Sequence, residues 1–361
     1  PTPLRSSAAS DVYKRQTGSY IPEIIQDNSK FLDKEFYDNE GNKIETPNEE
    51  IIEKFQKITG IRERRYAKDE LNNSDIAFLA AKKAIEDSKV DPETIDYIIL
   101  AHNFGNASNH TTQVDVFPSL AVRVKNLLKI KNPKCVAYDI LFGCPGWLEG
   151  MIQGYAFIKA GMAKKCLVIG ADTLSRVVDV SDRDSMIFAD GAGATIIEKS
   201  DKKGGVISHN TATYTDDEVF YLFYGKSYNP NAEQKTKYIK MRGRKVYEFA
   251  LTNVPAAMKE CLDISGTDIS EIKKILIHQA NAKMDDAIVK RLFKLYNKDA
   301  PEKIMPLTVD RFGNSSVATV PTMFDLILKG KLSDHHIKKG DKIIFASVGA
   351  GMHINAMVYQ Y

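Results

Sequence analysis

The feature of this sequence that most constrains its fold is a long-period internal repeat. Phe142-Gly143-Cys144 recurs as Phe312-Gly313-Asn314, and residues 95–102 resemble residues 272–279 at a similar separation. Such self-similarity indicates one structural unit that is used twice. Two strand–helix halves that pack as one body predict a layered α/β domain, with inner helices between two mixed sheets.

The repeat also suggests how the chain is divided. We predict an N-terminal half over residues 17–200 and a C-terminal half over residues 201–361. Residues 1–16 show neither strand alternation nor helical periodicity and are typical of a non-native, adapter-like segment, so we exclude them from the fold. The organised sequence is then expected to begin at Thr17, with a first strand missing in front of it.

Cys144 lies at a predicted strand-to-helix elbow. An apolar run over residues 135–138 predicts the strand, and apolar residues at helical spacing follow Pro145, which suits the first position of a helix. A thiol at a helix N-terminus is expected to have a lowered pKa, because the helix dipole and the free amides favour the thiolate. The stretch alone fits a nucleophile and a buried core cysteine equally well.

The repeat supplies Cys144 with two candidate partners. In a pseudo-twofold arrangement, Cys144 and Asn314 begin equivalent inner helices and approach each other near the axis. His278 follows a predicted strand of the second half, where loops after strands gather catalytic groups. A nucleophile needs a partner within reach, so this convergence favours the catalytic interpretation of Cys144. His353, beside the last glycine turn, either lines the same pocket or is simply packed.

Composition excludes several classes of function. The net charge of +3, from 50 basic and 47 acidic side chains, gives no overall attraction to nucleic acid. The four cysteines have no C-x-x-C spacing, and His335-His336 has no third metal ligand at a recognisable spacing. There is no signal-peptide pattern and no apolar run long enough to span a bilayer. We therefore expect a cytoplasmic protein without a metal or a membrane partner.

Two long connections and one basic cluster are candidate binding elements. Residues 212–236 are rich in Tyr and Phe and predict a lid or the wall of an apolar pocket, or a plain surface excursion. The polar loop over residues 103–118 is expected to be functional or to cover an interface. The arginines within residues 62–65 fit an anionic ligand or a solvated loop about equally.

Six motifs in order resemble the β-ketoacyl-acyl carrier protein synthase III family of the thiolase superfamily. They are residues 59–64, 142–144, 182–183 with 190–194, 278–281, 312–316 and the glycine turn at 349–351. The resemblance covers the chain from Thr17 onward. It implies a thiolase-like, five-layered αβαβα fold built from two duplicated halves with mixed sheets.

The resemblance also implies a Cys-His-Asn condensing site made of Cys144, His278 and Asn314. Cys144 would take an acyl group from acyl-CoA and condense it with malonyl-acyl carrier protein, with loss of carbon dioxide. His278 and Asn314 would stabilise the enolate, while the backbone amides of Cys144 and Ala350 would hold the oxyanion. No cofactor beyond these substrates is implied.

Further contacts follow from the same resemblance. Arg183 and Arg62 would contact CoA or substrate, and Phe117 would reach the acyl pocket of a partner subunit, which implies a homodimer. A basic patch would receive the acidic carrier protein, although a solvated helix face is nearly as plausible. That patch consists of Arg242, Arg244, Lys245 and Lys283.

Several departures from the family pattern keep other activities open. Lys54 and Phe55 stand where the family has a tryptophan, Ala350 interrupts the glycine turn, and the segments at 35–50 and 103–115 are expanded. A secondary-metabolism ketosynthase that uses long acyl or β-ketoacyl substrates is therefore an alternative. So is a Cys-dependent acyltransferase or thioesterase, while a non-catalytic partner subunit is disfavoured because all three chemical groups are present.

Overall fold

The computed structural model describes residues 11–108, 111, 113–201 and 204–361. Its strands, in chain order, are β1 Asp11–Tyr20, β2 Ile24–Asp27, β3 Glu63–Tyr66, β4 Tyr97–His102, β5 Asn106–Ala107, β6 Val114–Asp115, β7 Val136–Leu141, β8 Lys165–Thr173, β9 Asp190–Ser200, β10 Gly205–Thr213, β11 Leu222–Lys226, β12 Lys237–Met241, β13 Ile272–Ile277, β14 Lys342–Gly349 and β15 His353–Gln360. Its α-helices are α1 Asn48–Thr59, α2 Asn73–Ser88, α3 Leu120–Leu127, α4 Gly146–Lys159, α5 Gly243–Ser265, α6 Ala282–Lys294, α7 Val309–Phe312 and α8 Thr319–Leu328.

Two mixed sheets form the framework. The first has the order β1-β9-β8-β4-β7, with β4 parallel to β7 and β8 and with β9 antiparallel to its neighbours. The second has the order β10-β15-β14-β13, with β13 parallel to β14 and the other pairs antiparallel. Every strand of the first sheet precedes residue 201 and every strand of the second follows it. The division into two duplicated halves at that point stays a prediction.

Helices fill the space between the sheets and cover both outer faces. The inner helices α4 and α8 pack through Trp147, Met151 and Phe324 against apolar side chains of both sheets. Helices α2 and α3 cover the first sheet, and α5 and α6 cover the second. The layers therefore alternate as αβαβα, as predicted. Within the described ranges, no helix is long and apolar enough to cross a membrane.

Glycines allow α4 to lie unusually close to the first sheet. A Cβ at Gly150 would be 2.8 Å from Val168 Cγ1, and a Cβ at Gly154 would be 2.8 Å from Ile197 Cδ1. Real Cβ atoms do not tolerate such distances, so larger residues would push the helix outward. Because Cys144 lies two residues before the start of α4, this close packing sets the depth at which the thiol lies.

The expectation that organised sequence begins at Thr17 without a preceding strand is wrong. Strand β1 begins at Asp11 and pairs antiparallel with β9, from Asp11↔Ser200 to Tyr20↔Ala192. It is an edge strand of the first sheet, where charged and polar residues are common, so apolar alternation did not mark it. Residues 1–10 of the predicted adapter-like segment, 1–16, lie outside the described residues, and its non-native origin stays a prediction.

Candidate active site

The predicted elbow lies between β7 and α4. Gly143 adopts φ 70°, the left-handed conformation that favours glycine, and a Cβ there would be 3.1 Å from the backbone nitrogen of Ala350. Cys144 follows, and α4 begins at Gly146, so Pro145 occupies the N-cap instead of the first helical position. The turn therefore presents the thiol beside the last glycine turn of the chain.

Asn314 is held by backbone hydrogen bonds on both sides. Its N–H donates to Ile187 O and its carbonyl accepts from Ala189 N, each at 2.9 Å. Its side-chain Oδ1 accepts from Ser316 N at 2.8 Å, which leaves Nδ2 as the free donor within the described residues. Helix α8 begins only at Thr319, so the expectation that Asn314 itself begins a helix is wrong. A short 3₁₀ segment, Ser316–Ala318, lies between Asn314 and the helix.

His278 follows β13 and is buried. Its N–H donates to Ala346 O at 2.8 Å, which fixes the backbone at the end of the strand. Burial lowers the pKa of the imidazole to about 4, partly opposed by a hydrogen bond to the Ser316 backbone. The ring is therefore neutral at ordinary pH and keeps an N–H for hydrogen bonding. Its Nδ1 has no hydrogen-bond partner among the residues described.

Cys144, His278 and Asn314 all line one cavity of about 320 Å³. The structure thus brings the three predicted side chains together. Strand β11 forms part of the wall through Leu222, Phe223 and Tyr224. The prediction that residues 212–236 contribute to an apolar pocket is confirmed for this strand.

The expected lowering of the Cys144 pKa is wrong. Burial raises the pKa of this thiol to about 12, and the charge of Asp172 acts in the same direction. A hydrogen bond from Ser316 Oγ to Sγ, at 3.3 Å, and the cysteine's own amide oppose this effect without overcoming it. Desolvation is thus the largest influence on the pKa of this thiol, and the resting site contains a neutral thiol.

The backbone at Cys144 lies against the glycine turn. A Cβ at Gly349 would be 2.7 Å from Cys144 N. In the described part of the chain, no backbone carbonyl accepts from the Cys144 N–H. Ala350 also lines the cavity. Cys144 and Ala350 thus lie on neighbouring backbone segments of one cavity wall, and their role as oxyanion donors stays a prediction.

A second cavity of about 650 Å³ adjoins the first. The residues that line both are Ile187, Met241, Val246, Ala280 and Met284. Its other walls include Lys54 and Phe55 of α1 and Tyr247 of α5, with Arg183 and Arg244 also on its lining. The pair of cavities forms an apolar path toward Cys144 with basic residues along its outer part.

The remaining predicted binding residues divide into two groups. Arg242 and Lys245 line a neighbouring cleft of about 440 Å³ together with Arg183 and Arg244. Lys283 is exposed near the start of α6 and lines neither main cavity.

Arg62 lines neither of the two main cavities. It forms an exposed ion pair with Asp310 at 2.9 Å. Its neighbour Arg64 is buried and donates to Met186 O, Gln26 O and Asn28 Oδ1, so it stabilises the fold. Phe117 is 90% exposed and precedes α3.

Three polar residues of the site were missed by the sequence interpretation. Asn103 and Ser316 line the cavity, and Asp172 is buried behind them. Asn103 follows β4 and Asp172 lies near the end of β8, and these strands are parallel neighbours. The sequence pattern that could have predicted them is a polar residue at the carboxyl end of each of two strands, because the carboxyl ends of parallel strands lie at the same edge of a sheet.

Comparisons with known proteins agree with this geometry. Family models described as 3-oxoacyl-(acyl-carrier-protein) synthase III and its C-terminal part match residues 138–215 and 262–361. A β-ketoacyl-(acyl-carrier-protein) synthase III of Erythrobacter litoralis is 34% identical over 324 residues, which is 88% of this chain and 92% of the relative.

Solved structures give the same result. The crystal structure of 3-oxoacyl-(acyl-carrier-protein) synthase III from Aquifex aeolicus superposes with a TM-score of 0.79 at 30% identity, over 97% of this chain and 100% of that chain. The priming β-ketosynthase of the R1128 polyketide pathway has a TM-score of 0.79 at 23% identity over 99% and 98%, which shows the shared fold alone. The chain therefore belongs to the β-ketoacyl-acyl carrier protein synthase III family.

Proposed function

We propose that this protein condenses an acyl group with malonyl-acyl carrier protein to give a β-ketoacyl product. The observation that carries the proposal is that Cys144, His278 and Asn314 line one cavity, which adjoins a larger apolar cavity with a basic rim. A nucleophile, two hydrogen-bond donors and a channel for a thioester arm are what a two-step acyl transfer needs.

In the first step Cys144 accepts the acyl group. Its sulfur bonds to the carbonyl carbon of acyl-CoA, the bond to the CoA sulfur breaks, and the cysteine proton ends on released CoA. The amides of Cys144 and Ala350 hold the oxyanion, a contribution of about 3–4 kcal/mol per donor where one has been removed in other enzymes. The thiol is protonated at rest because desolvation raises its pKa, so the thiolate forms only as the step proceeds.

In the second step malonyl-acyl carrier protein loses carbon dioxide. The resulting enolate oxygen accepts hydrogen bonds from His278 and from Asn314 Nδ2. Because burial keeps His278 neutral, it acts as a hydrogen-bond donor and need not transfer its proton. The enolate carbon then bonds to the acyl carbon, and Cys144 leaves as a thiolate that takes up a proton.

The rim of the second cavity fits the two thioester carriers. Arg183 and Arg244 lie where a phosphate-bearing arm would enter, and Arg242 and Lys245 extend the basic area into the neighbouring cleft. An acidic carrier protein would be attracted to such a surface. Lys283 adds to this patch from α6, whereas Arg62 lines neither cavity and is not proposed as a direct CoA contact.

We also propose that two copies of this chain form a homodimer. Strand β7 is an edge of the first sheet, and Leu141 at its end is 72% exposed. Phe117 is also exposed, together with Val114 and Val116 of the same segment. An open sheet edge beside apolar side chains favours association with a second copy.

Neither step calls for a cofactor beyond the two substrates. No cluster of metal-binding side chains occurs within the described ranges. The cytoplasmic location stays a prediction.

Intact-protein mass spectrometry tests the function directly. The protein is incubated with a panel of acyl-CoAs, and a mass increase equal to the acyl group is expected on Cys144. Addition of malonyl-acyl carrier protein should then discharge the adduct into a carbon–carbon bonded β-ketoacyl product. Release of the free acid without that product would instead identify a thioesterase.

A further inference from the structure

A hydrogen-bonded chain leads from a buried carboxyl group to the thiol. Asp172 accepts from the backbone N–H of Asn103 at 2.9 Å and from its Nδ2 at 2.6 Å. The same Nδ2 donates to Ser316 Oγ at 2.8 Å, and Ser316 Oγ donates to Cys144 Sγ at 3.3 Å. Neither Asn103 nor Asp172 has a part in the two proposed chemical steps.

The number of available hydrogens determines which group donates in each of these hydrogen bonds. An amide nitrogen carries two hydrogens, and those of Asn103 are used by Asp172 and Ser316. The Ser316 oxygen therefore accepts from Asn103, and its single hydrogen is available to another acceptor. That hydrogen has two acceptors in reach, since Ser316 also interacts with the Asp172 carboxyl.

Ionisation of the sulfur decides between these acceptors. While Cys144 is a thiol, Asp172 competes for the hydroxyl hydrogen. Once the sulfur is charged, it also becomes a strong acceptor, because hydrogen bonds to charged groups are about twice as strong as neutral ones. The Asp172 carboxyl already accepts two hydrogen bonds from Asn103, so the hydroxyl hydrogen then goes to the sulfur. The backbone of Ser316, at φ 52°, is held in this position by its bond to Asn314 Oδ1.

We propose that Ser316 stabilises the Cys144 thiolate by donating its hydroxyl hydrogen to the sulfur, and that Asn103, oriented by Asp172, is a positioning residue for that hydroxyl. This rests on the proposed role of Cys144 as nucleophile. The charge of Asp172 itself disfavours the thiolate. Its contribution is therefore to hold the Asn103 amide with its hydrogens toward Ser316.

Alkylation of Cys144 by iodoacetamide, followed by peptide mass spectrometry, measures thiolate formation without any condensation. Ser316→Ala should lower the alkylation rate at about pH 8 by about threefold to tenfold. Loss of this hydrogen bond raises the thiol pKa further, and the greater nucleophilicity of the less stabilised thiolate offsets part of the effect on the rate. Ser316→Gly, which suits the positive φ, should show the same loss, and this separates the hydroxyl from backbone strain.

Asn103→Leu should lower the rate in the same direction. Combined with Ser316→Ala, it should add nothing, because Asn103 acts through the serine hydroxyl. Ser315→Ala is the matched control, since the Ser315 hydroxyl contacts Thr319 and not Cys144, and its rate should equal that of the wild type.

Two different results would separate the possible failures. Equal alkylation rates in the wild type and both Ser316 variants, or additive losses with Asn103→Leu, would overturn the inference. If Cys144 reacts no faster than the buried Cys135 and Cys166, the nucleophile assignment fails instead.

Discussion

Phe142 stacks face to face on His353, with ring centroids 4.1 Å apart and planes 15° apart. The contact joins the elbow that carries Cys144 to the glycine turn that carries Ala350. A hydrogen bond also holds the imidazole, since Thr213 Oγ1 lies 2.8 Å from His353 Nδ1. His353 is thus both packed and part of the cavity lining.

This stack should couple the two backbone elements energetically. Phe142→Leu and His353→Ala should each destabilise the protein, and the double variant should show a coupling of about 1 kcal/mol, as found for aromatic pairs. Urea unfolding of the four proteins measures the coupling. A coupling near zero would show that the rings are neighbours without mutual stabilisation.

The roles proposed for Cys144, His278 and Asn314 predict that acylation and malonyl decarboxylation can be impaired separately. Cys144→Ala should abolish acylation. His278→Ala and Asn314→Ala should leave acylation largely intact but slow malonyl decarboxylation by about 10²–10³-fold, the usual cost of a lost donor at a developing anion. Mass spectrometry measures acylation, and release of labelled carbon dioxide measures decarboxylation. Cys135→Ala, a buried cysteine outside the cavity, is the control that should still be acylated. Equal loss of both half-reactions in all three site variants would refute the assignment.

His278 predicts a pH dependence of stability. Its pKa is lowered from 6.5 to about 4 by burial, so the unfolded chain binds the proton more readily in this window. Stability from this group is present above pH 6.5 and is lost as the pH falls toward 4. Between about pH 7 and pH 5 the wild type should lose about 2 kcal/mol relative to His278→Asn. Urea unfolding at both pH values measures the difference, and a pH-independent difference would contradict the buried, neutral imidazole.

A buried lysine anchors the hairpin that forms the cavity wall. Lys240 Nζ lies 2.5 Å from Asp179 and 3.1 Å from Asp182, and it also lies over the ring of Tyr228. Lys240→Met should cost about 3–5 kcal/mol in unfolding free energy, because two buried carboxylates lose their partner. Lys237→Met, on the exposed part of the same strand, is the matched control and should cost far less. A triple variant that also neutralises both aspartates should recover much of the loss.

The exposed Leu141 at the β7 edge indicates a substitution that should dissociate the proposed dimer. Leu141→Glu should shift the protein toward monomers in sedimentation velocity, since a charge would have to be buried in the interface. Met162→Glu places the same charge on another exposed apolar residue, in the connection between α4 and β8, and should leave the oligomeric state unchanged. A wild type that sediments as a monomer would refute the dimer itself.

The sequence predicted that Cys144, His278 and Asn314 lie close together. The internal repeat placed Cys144 and Asn314 at equivalent positions of the two halves, and the end of a predicted strand placed His278 at the same edge. The sequence failed on the thiol pKa, since desolvation depends on which distant segments close over the sulfur. It failed on β1 because an edge strand can pair through its backbone without apolar alternation. It also missed Asn103 and Asp172, which are separated along the chain and meet Ser316 only after the sheets assemble.

The adjoining cavities have a kinetic consequence. Both the acyl donor and the malonyl donor carry long thioester arms, and both must bring a reacting carbon to Cys144 through the same apolar path. The acyl carbonyl carbon bonds to the sulfur in the first step, and the enolate carbon bonds to that acyl carbon in the second. The two arms cannot occupy that path together, so the first leaving group must depart before the second substrate binds. Steady-state turnover should accordingly follow a ping-pong scheme in which an excess of either substrate inhibits the binding of the other.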